Sequence, residues 1–281
     1  MKKFFKCVGL FSLVCFSFYY TDKTVSVVKE LDDIMIAIKE VEENYHVDPI
    51  DAVIDGNTII PGLYGKTIDI DGSYTRMRKE GFYNESLLIY KDIKNKVSLD
   101  DNLTKYVISG NVKKNQVSLI FLVDEYDKVN KVVNILDKYG IKGNFFVDGF
   151  WFEKNSNTVI NLIDSNHIVG NLSYNMDYQN SSFTWMDTII KKVGKQKQGY
   201  CLRTNNEKDL KICALNKDYT ISPSIKVSKN LLTETKNNLH SGSIIAIEIN
   251  DATMKELELA IKYINSKNLS ITNLQEHLKE F

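Results

Sequence analysis

The sequence predicts an α/β protein built on a parallel sheet or barrel, and three observations carry that prediction. From Gln116 onward short continuous apolar runs recur, starting with "VSLIFLV" at 117–123, as strands buried on both faces require. Between them lie amphipathic stretches of helical length, such as the one through Val129, Val132, Val133 and Leu136, closed at Gly140. The two kinds alternate singly, and a strand, a helix and a further strand in that order make a parallel crossover.

The elements follow in order. "MKKFFKCVGLFSLVCFSFYY" puts Lys2, Lys3 and Lys6 before an apolar run from Cys7 to Tyr20, the layout of an export signal. No small-x-small cleavage site follows, so an uncleaved anchor over residues 1–21 is favoured over a removed signal, with the lysines inside and the rest of the chain outside. Residues 22–46 read as an amphipathic helix, with Val27, Leu31, Ile34, Ile38, Val41 and Tyr45 on one seam. It is either a short self-associating stalk or, the preferred reading, a helix packed on its own domain. Residues 47–114 mix short β-type runs with turn signals at Asp55-Gly56, Pro61-Gly62 and Asp71-Gly72, and are expected to form a small α+β region. Residues 115–281 supply about seven strands, at "VSLIFLV", "NFFV", "HIVGN", "GYCL", "YTIS", "SIIAIEI" and "LSIT".

Composition narrows the function. With 36 basic and 36 acidic residues the formal net charge is zero, which argues against nucleic acid as a partner. No CxxC is present, so the four cysteines give no zinc or redox signature. Cys201 and Cys213 either pair as a disulfide or stay as buried thiols.

In parallel α/β folds the chemistry lies at the carboxyl ends of strands. The places to inspect are therefore Asp124 to Asp127, Gly170 to Asp177, Arg203 to Glu207, Pro223 to Lys226 and Glu248 to Asp251. The four histidines, His46, His167, His240 and His277, lie far apart, and none follows an inspected strand. Each reads as a packing or surface residue. Asp124, Glu125 and Asp127 are a hard-metal candidate, against the commoner reading of a solvated loop. Ser173 has no neighbouring histidine to activate it, and Cys201 has no base near it in sequence. "GNLSYNMDY" and Trp185 offer amides and aromatic faces suited to a glycan, so Asn171, Ser173, Tyr174 and Asn175 are the substrate-binding candidates.

The stretch "LDKYGIKGNFFVDGFWFEKNSNTVINLIDSNHIVGNLSY", Leu136 to Tyr174, resembles the NodB-type polysaccharide deacetylases. "GSIIAIEI" and "LSITNLQEHL" are similar to that family's closing strand and last helix. The region before the barrel resembles the N-terminal extension of a sporulation-linked, YlxY-type group. The resemblance implies an incomplete (β/α)7 barrel, preceded by the small α+β region and the membrane anchor. It also implies a zinc or other divalent ion held by an aspartate and by two histidines in H-x-x-x-H after G-N, with a carboxylate and a late histidine as base and acid. On this sequence those two positions fall on Leu172 and Met176, the late histidine on Glu248, a first-strand aspartate on Asp124, and the family's arginine on Arg203.

The expectation is therefore an exported, membrane-anchored, deacetylase-like barrel on the outer face of a bacterial cell. It is catalytically inactive, its metal ligands replaced, has no cofactor, and acts as a sporulation factor whose partner is cell-wall glycan or an envelope protein. The alternative is a working hydrolase that deacetylates N-acetylated glycan through Asp124, Asp127 or Glu248 in a non-standard site, with a divalent metal.

Overall fold

A computed structural model describes residues 11–21, 29–30, 32–124, 129–194, 196 and 198–281. The first half of the expected anchor, the seam positions Val27 and Leu31, and the candidates Glu125 and Asp127 lie outside the described residues. In chain order the elements are α1 (residues 11–21), α2 (Asp33–Tyr45), β1 (Val53–Asp55), β2 (Thr58–Ile60), β3 (Gly65–Ile68), α3 (Ile70–Glu80), β4 (Tyr90–Ile93) and β5 (Tyr106–Val107). Then follow β6 (Gln116–Val123), α4 (Val129–Lys138), β7 (Asn144–Val147), α5 (Gly149–Lys154), α6 (Ser156–Asp164), β8 (Ile168–Asn171), α7 (Asn180–Gly194), β9 (Gly199–Leu202), α8 (Glu207–Leu215) and β10 (Asp218–Ile221). The chain closes with β11 (Ile225–Val227), α9 (Leu231–Asn238), β12 (Ile244–Glu248), α10 (Asp251–Ser266), β13 (Ser270–Ile271) and α11 (Leu274–Leu278).

Two compact units result. The smaller takes in the chain up to Pro49 together with Tyr64–Lys94. In it α2 starts at Asp32, whose carboxylate accepts from the Ile34 amide at 2.9 Å, a local N-cap. Met35 and Ile38 of α2 are buried with Ile68, Tyr74, Met77 and Leu88, and Ile34, Val41 and Tyr45 pack beside them. The predicted seam thus serves the helix's own unit. Among the described residues no helix is long and apolar enough to cross a membrane.

The larger unit, Ile50–Leu63 with Asn95–Phe281, holds the sheet. Its strand order is β1-β2-β5-β10-β9-β8-β7-β6-β12-β11, with β13 beside β6. All pairs are parallel except the β1–β2 hairpin. The sheet curls as a half-barrel with β1 and β11 at its two edges. The segment 47–114 does not stand as one body. Its runs at β1, β2 and β5 extend the large sheet beyond β10, while β3, α3 and β4 belong to the smaller unit. All seven predicted strands are present, and β5 and β11 join them.

Alternation along the strands builds two apolar layers. Leu119, Phe121, Phe145, Val147 and Val169 face the helices, packed with Val132, Leu136, Leu162 and Ile261. Ile120, Phe146, Ile168, Tyr200, Leu202, Ile244 and Ala246 face the concave interior, which Leu274 and Leu278 of α11 help to fill. Burying one such side chain contributes about 1.5–3 kcal/mol. The interior is packed, so anything at the barrel mouth must sit on the strand ends.

Candidate active site

The carboxyl end of β8 carries the loop from Asn171 to Tyr178, and buried polar groups fix its path. Asn171 donates through Nδ2 to the Phe183 carbonyl of α7 at 3.0 Å and accepts the Ser173 amide at 2.8 Å. Ser173, Asn175 and Met176 take left-handed backbone conformations, with φ of 54°, 51° and 57°. Such residues persist only where neighbours impose them. Here the neighbours include Asp148 at the end of β7. Its carboxylate accepts the Asn175 amide at 2.7 Å and the Phe150 amide at 2.8 Å, which also caps α5. The Gly149 amide donates to the Ser173 carbonyl at 2.7 Å. The Tyr174 ring lies over Gly149 so closely that a Cβ there would come within 2.7 Å of it. At the far end of the loop, Tyr178 clips it to β9. Its hydroxyl accepts from the Leu202 amide at 3.1 Å and reaches the carbonyls of Asn171 and Leu202 at 3.2 and 3.1 Å.

The substrate-binding candidates are thereby sorted. Asn171 has both arms of its amide engaged. Ser173 is fully buried, and its hydroxyl has no hydrogen-bond partner. Tyr174 donates to Glu153 at 2.5 Å and meets Phe150 edge-on at 5.0 Å. Burial, with the Glu153 carboxylate beside it, pushes the Tyr174 hydroxyl up to about 12. The Asn175 side chain is exposed.

The other strand ends supply the remaining candidates. Glu248 ends β12 in register with Leu122 of β6, exposed and two residues beyond the interior-facing Ala246. The Thr253 hydroxyl donates to the Glu248 carbonyl at 2.6 Å within the Asn250–Thr253 capping box of α10, so the turn after Glu248 is fixed. Asp124 directly follows β6 and is exposed. Arg203 follows β9 and stacks its guanidinium 4.4 Å from the centre of the Tyr106 ring. Cys201 of β9 and Cys213 of α8 are joined as a disulfide, with Cα atoms 6.4 Å apart, under Tyr178 and Phe183.

The two replaced ligand positions differ in kind. Leu172 is 5% exposed and belongs to the interior cluster with Phe146, Tyr200 and Leu202. Met176 is 39% exposed at the loop's tip. An alkyl group has no lone pair, and a thioether is a soft, weak donor toward zinc and the harder divalent ions. These positions do not fit the family's metal. Among the described residues no three His, Cys, Asp or Glu side chains gather as a metal-binding group.

The histidines lie elsewhere. His167, just before β8, accepts the Gly143 amide on Nδ1 at 3.0 Å, and burial, with Lys142 nearby, holds it below the usual histidine range. His277 of α11 is buried against the Ser118 hydroxyl, and burial, with Lys114 nearby, pushes it down to about 3. His46 is exposed and lies 3.1 Å from Asp48, while His240 is exposed before β12.

Sequence reasoning missed Asp148 and Tyr178. The Asp148 N-cap could have been read from an aspartate placed between "NFFV" and the start of "GFWF". Beside the loop, an apolar cavity of about 390 Å³ opens between α6 and α7, lined by Phe152, Val159, Ile160, Ile163, Trp185 and Ile189.

Comparisons with known proteins agree with this fold. The family described as polysaccharide deacetylase matches residues 109–220. The uncharacterized protein YlxY of Bacillus subtilis (strain 168) is 25% identical over 280 residues, covering 92% of this chain and 87% of its own. A crystal structure of wild-type BA3943, described as a CE4 family pseudoenzyme from Bacillus anthracis, superposes with a TM-score of 0.66 at 22% identity, over 89% of this chain and 96% of that one. A BA3943 mutant described as having restored enzymatic activity gives the same score and identity over 89% and 99%. Residues 109–220 therefore match the polysaccharide deacetylase family, and Leu172 and Met176 stand where the resemblance to that family puts its paired histidines.

Proposed function

We propose that the protein is a non-catalytic envelope component that uses its deacetylase-like domain to bind N-acetylated cell-wall glycan, or a protein associated with it, without a cofactor. The observation that carries this reading is Leu172, a ligand position now packed into the apolar interior. A surface remains that suits binding: Phe150, Met176 and Trp185 are exposed large apolar side chains on α5, the loop and α7. The placement outside the cell, held by an N-terminal anchor, rests on the charge pattern of residues 1–21. The setting in sporulation rests on the resemblance to the YlxY-type group.

A second reading is favoured by one feature. Glu248 sits opposite Leu122, two residues before Asp124, so two carboxylates end neighbouring strands. A hydrolase on the same glycan would have to work from them.

Co-sedimentation of the protein with purified peptidoglycan separates the partner classes. Retention in the pellet that is competed by soluble N-acetylated oligosaccharide, with the glycan recovered fully acetylated, is the expected result. Failure to pellet would move the reading to a protein partner. Loss of acetyl groups during incubation would sink the non-catalytic reading.

A further inference from the structure

The most unusual charge arrangement in the larger unit lies at the opposite end of the strands from the loop. Asp218 opens β10 and is fully buried. Lys191 of α7 reaches its Oδ1 at 2.5 Å, the Asp187 carboxylate at 2.9 Å and the Asn216 carbonyl at 2.7 Å. The two carboxyls thus share one ammonium. Asp187 is nearly as buried as Asp218, while the Lys191 side chain is 22% exposed.

The charge count does not close. Two buried carboxylates face one ammonium, and among the described residues no second cation is paired with them. From β9 the facing groups are Gly199, with no side chain, Cys201, tied in its disulfide, and Tyr200. Tyr178 stands near both Asp218 and Asp209 of α8. Burial pushes both tyrosine hydroxyls up, so they stay neutral. Lys192 and Lys217 are exposed. A buried pair of carboxyls that share one ammonium settles by holding one proton.

We propose that Asp218, Asp187 and Lys191 form a proton-holding clamp that fastens α7 to β10, so that the fold's hold on α7 and on the loop it supports loosens as pH rises through the neutral to alkaline range. The link to the loop is direct, because α7 carries the Phe183 carbonyl that accepts from Asn171. The clamp acts in the same way whether or not the strand-end site binds glycan.

The electrostatics give the sign. Burial, then the Asp187 charge, raises Asp218 from 3.8 to about 8, and Asp187 is raised as well, chiefly by burial. Burial would lower Lys191, but its two carboxylate partners outweigh that and raise it, so it stays charged. A carboxyl raised by folding stabilises the fold fully below its unfolded value of 3.8 and loses that contribution as pH climbs through about 8.

The test uses the full chain. Carbon-13 NMR should show one carboxyl titrating near neutral to alkaline pH, and that titration should vanish in Asp218→Asn. The midpoint should fall below pH 6 in Asp187→Asn, where one carboxylate balances one ammonium. The Asn171 side-chain amide should shift with the same midpoint as the carboxyl. The wild-type melting temperature should drop by about 5 °C from pH 6 to pH 9 relative to Asp187→Asn. The proposal is overturned if no carboxyl titrates between pH 6 and 9, if the melting curves of wild type and Asp187→Asn run parallel with pH, or if the Asn171 amide ignores the titration.

Discussion

Replacing Glu280 with alanine should lower the stability of the larger unit by about 4 kcal/mol. The Glu280 carboxylate is buried and gathers three donors from distant parts of the chain. These are the Gly62 amide at 2.8 Å, Asn95 Nδ2 at 3.0 Å and the Leu99 amide at 3.1 Å. Truncation leaves all three without an acceptor, and each unmade buried bond costs about 1–3 kcal/mol, partly relieved by entering water. Thermal unfolding should shift down by about 10 °C. Glu280→Gln keeps one acceptor oxygen and should lose about half as much. A loss below about 1 kcal/mol for the alanine variant would mean the three donors find other partners.

Leu172→His should cost about 3 kcal/mol even though it restores the residue type of the family's pattern. The position faces Phe146, Tyr200 and Leu202 in the packed interior, where an imidazole gives up apolar contacts and must be desolvated. Met176→His, at the exposed loop tip, should stay within about 0.5 kcal/mol of wild type and serves as its control. Calorimetry in chelator-treated buffer measures both. Equal, small effects at the two positions would mean that site 172 is open and ready for a ligand, and Leu172 would no longer count as a packing residue.

How far the sequence reveals the fold depends on the length of each signal. The runs at β6, β7, β8, β9 and β12 are four to eight residues of nearly unbroken apolar side chains, and burial on both faces leaves little else for them to be. Tyr106–Val107 and Ile225–Val227 are too short for any period, and only pairing with β10 and β12 makes them strands. The same holds for β1 and β2, whose place in the large sheet depends on partners some fifty residues away in sequence. The site divides in the same way. Leu172 and Met176 are legible because the family's spacing after "GN" survives around them. Asp148 and Tyr178 shape the loop through backbone groups 27 and 24 residues distant, and Asp218 meets Lys191 across 27 residues. No local pattern announces such pairs.

The most direct test of the central claim is acetate release from an N-acetylated chitooligosaccharide by the full chain, measured with zinc, cobalt or manganese added at one equivalent and in excess. Leu172 and Met176 at the ligand positions predict no release above that of the buffer under any of these conditions. Repeated turnover that requires one equivalent of metal and disappears with chelator would contradict it.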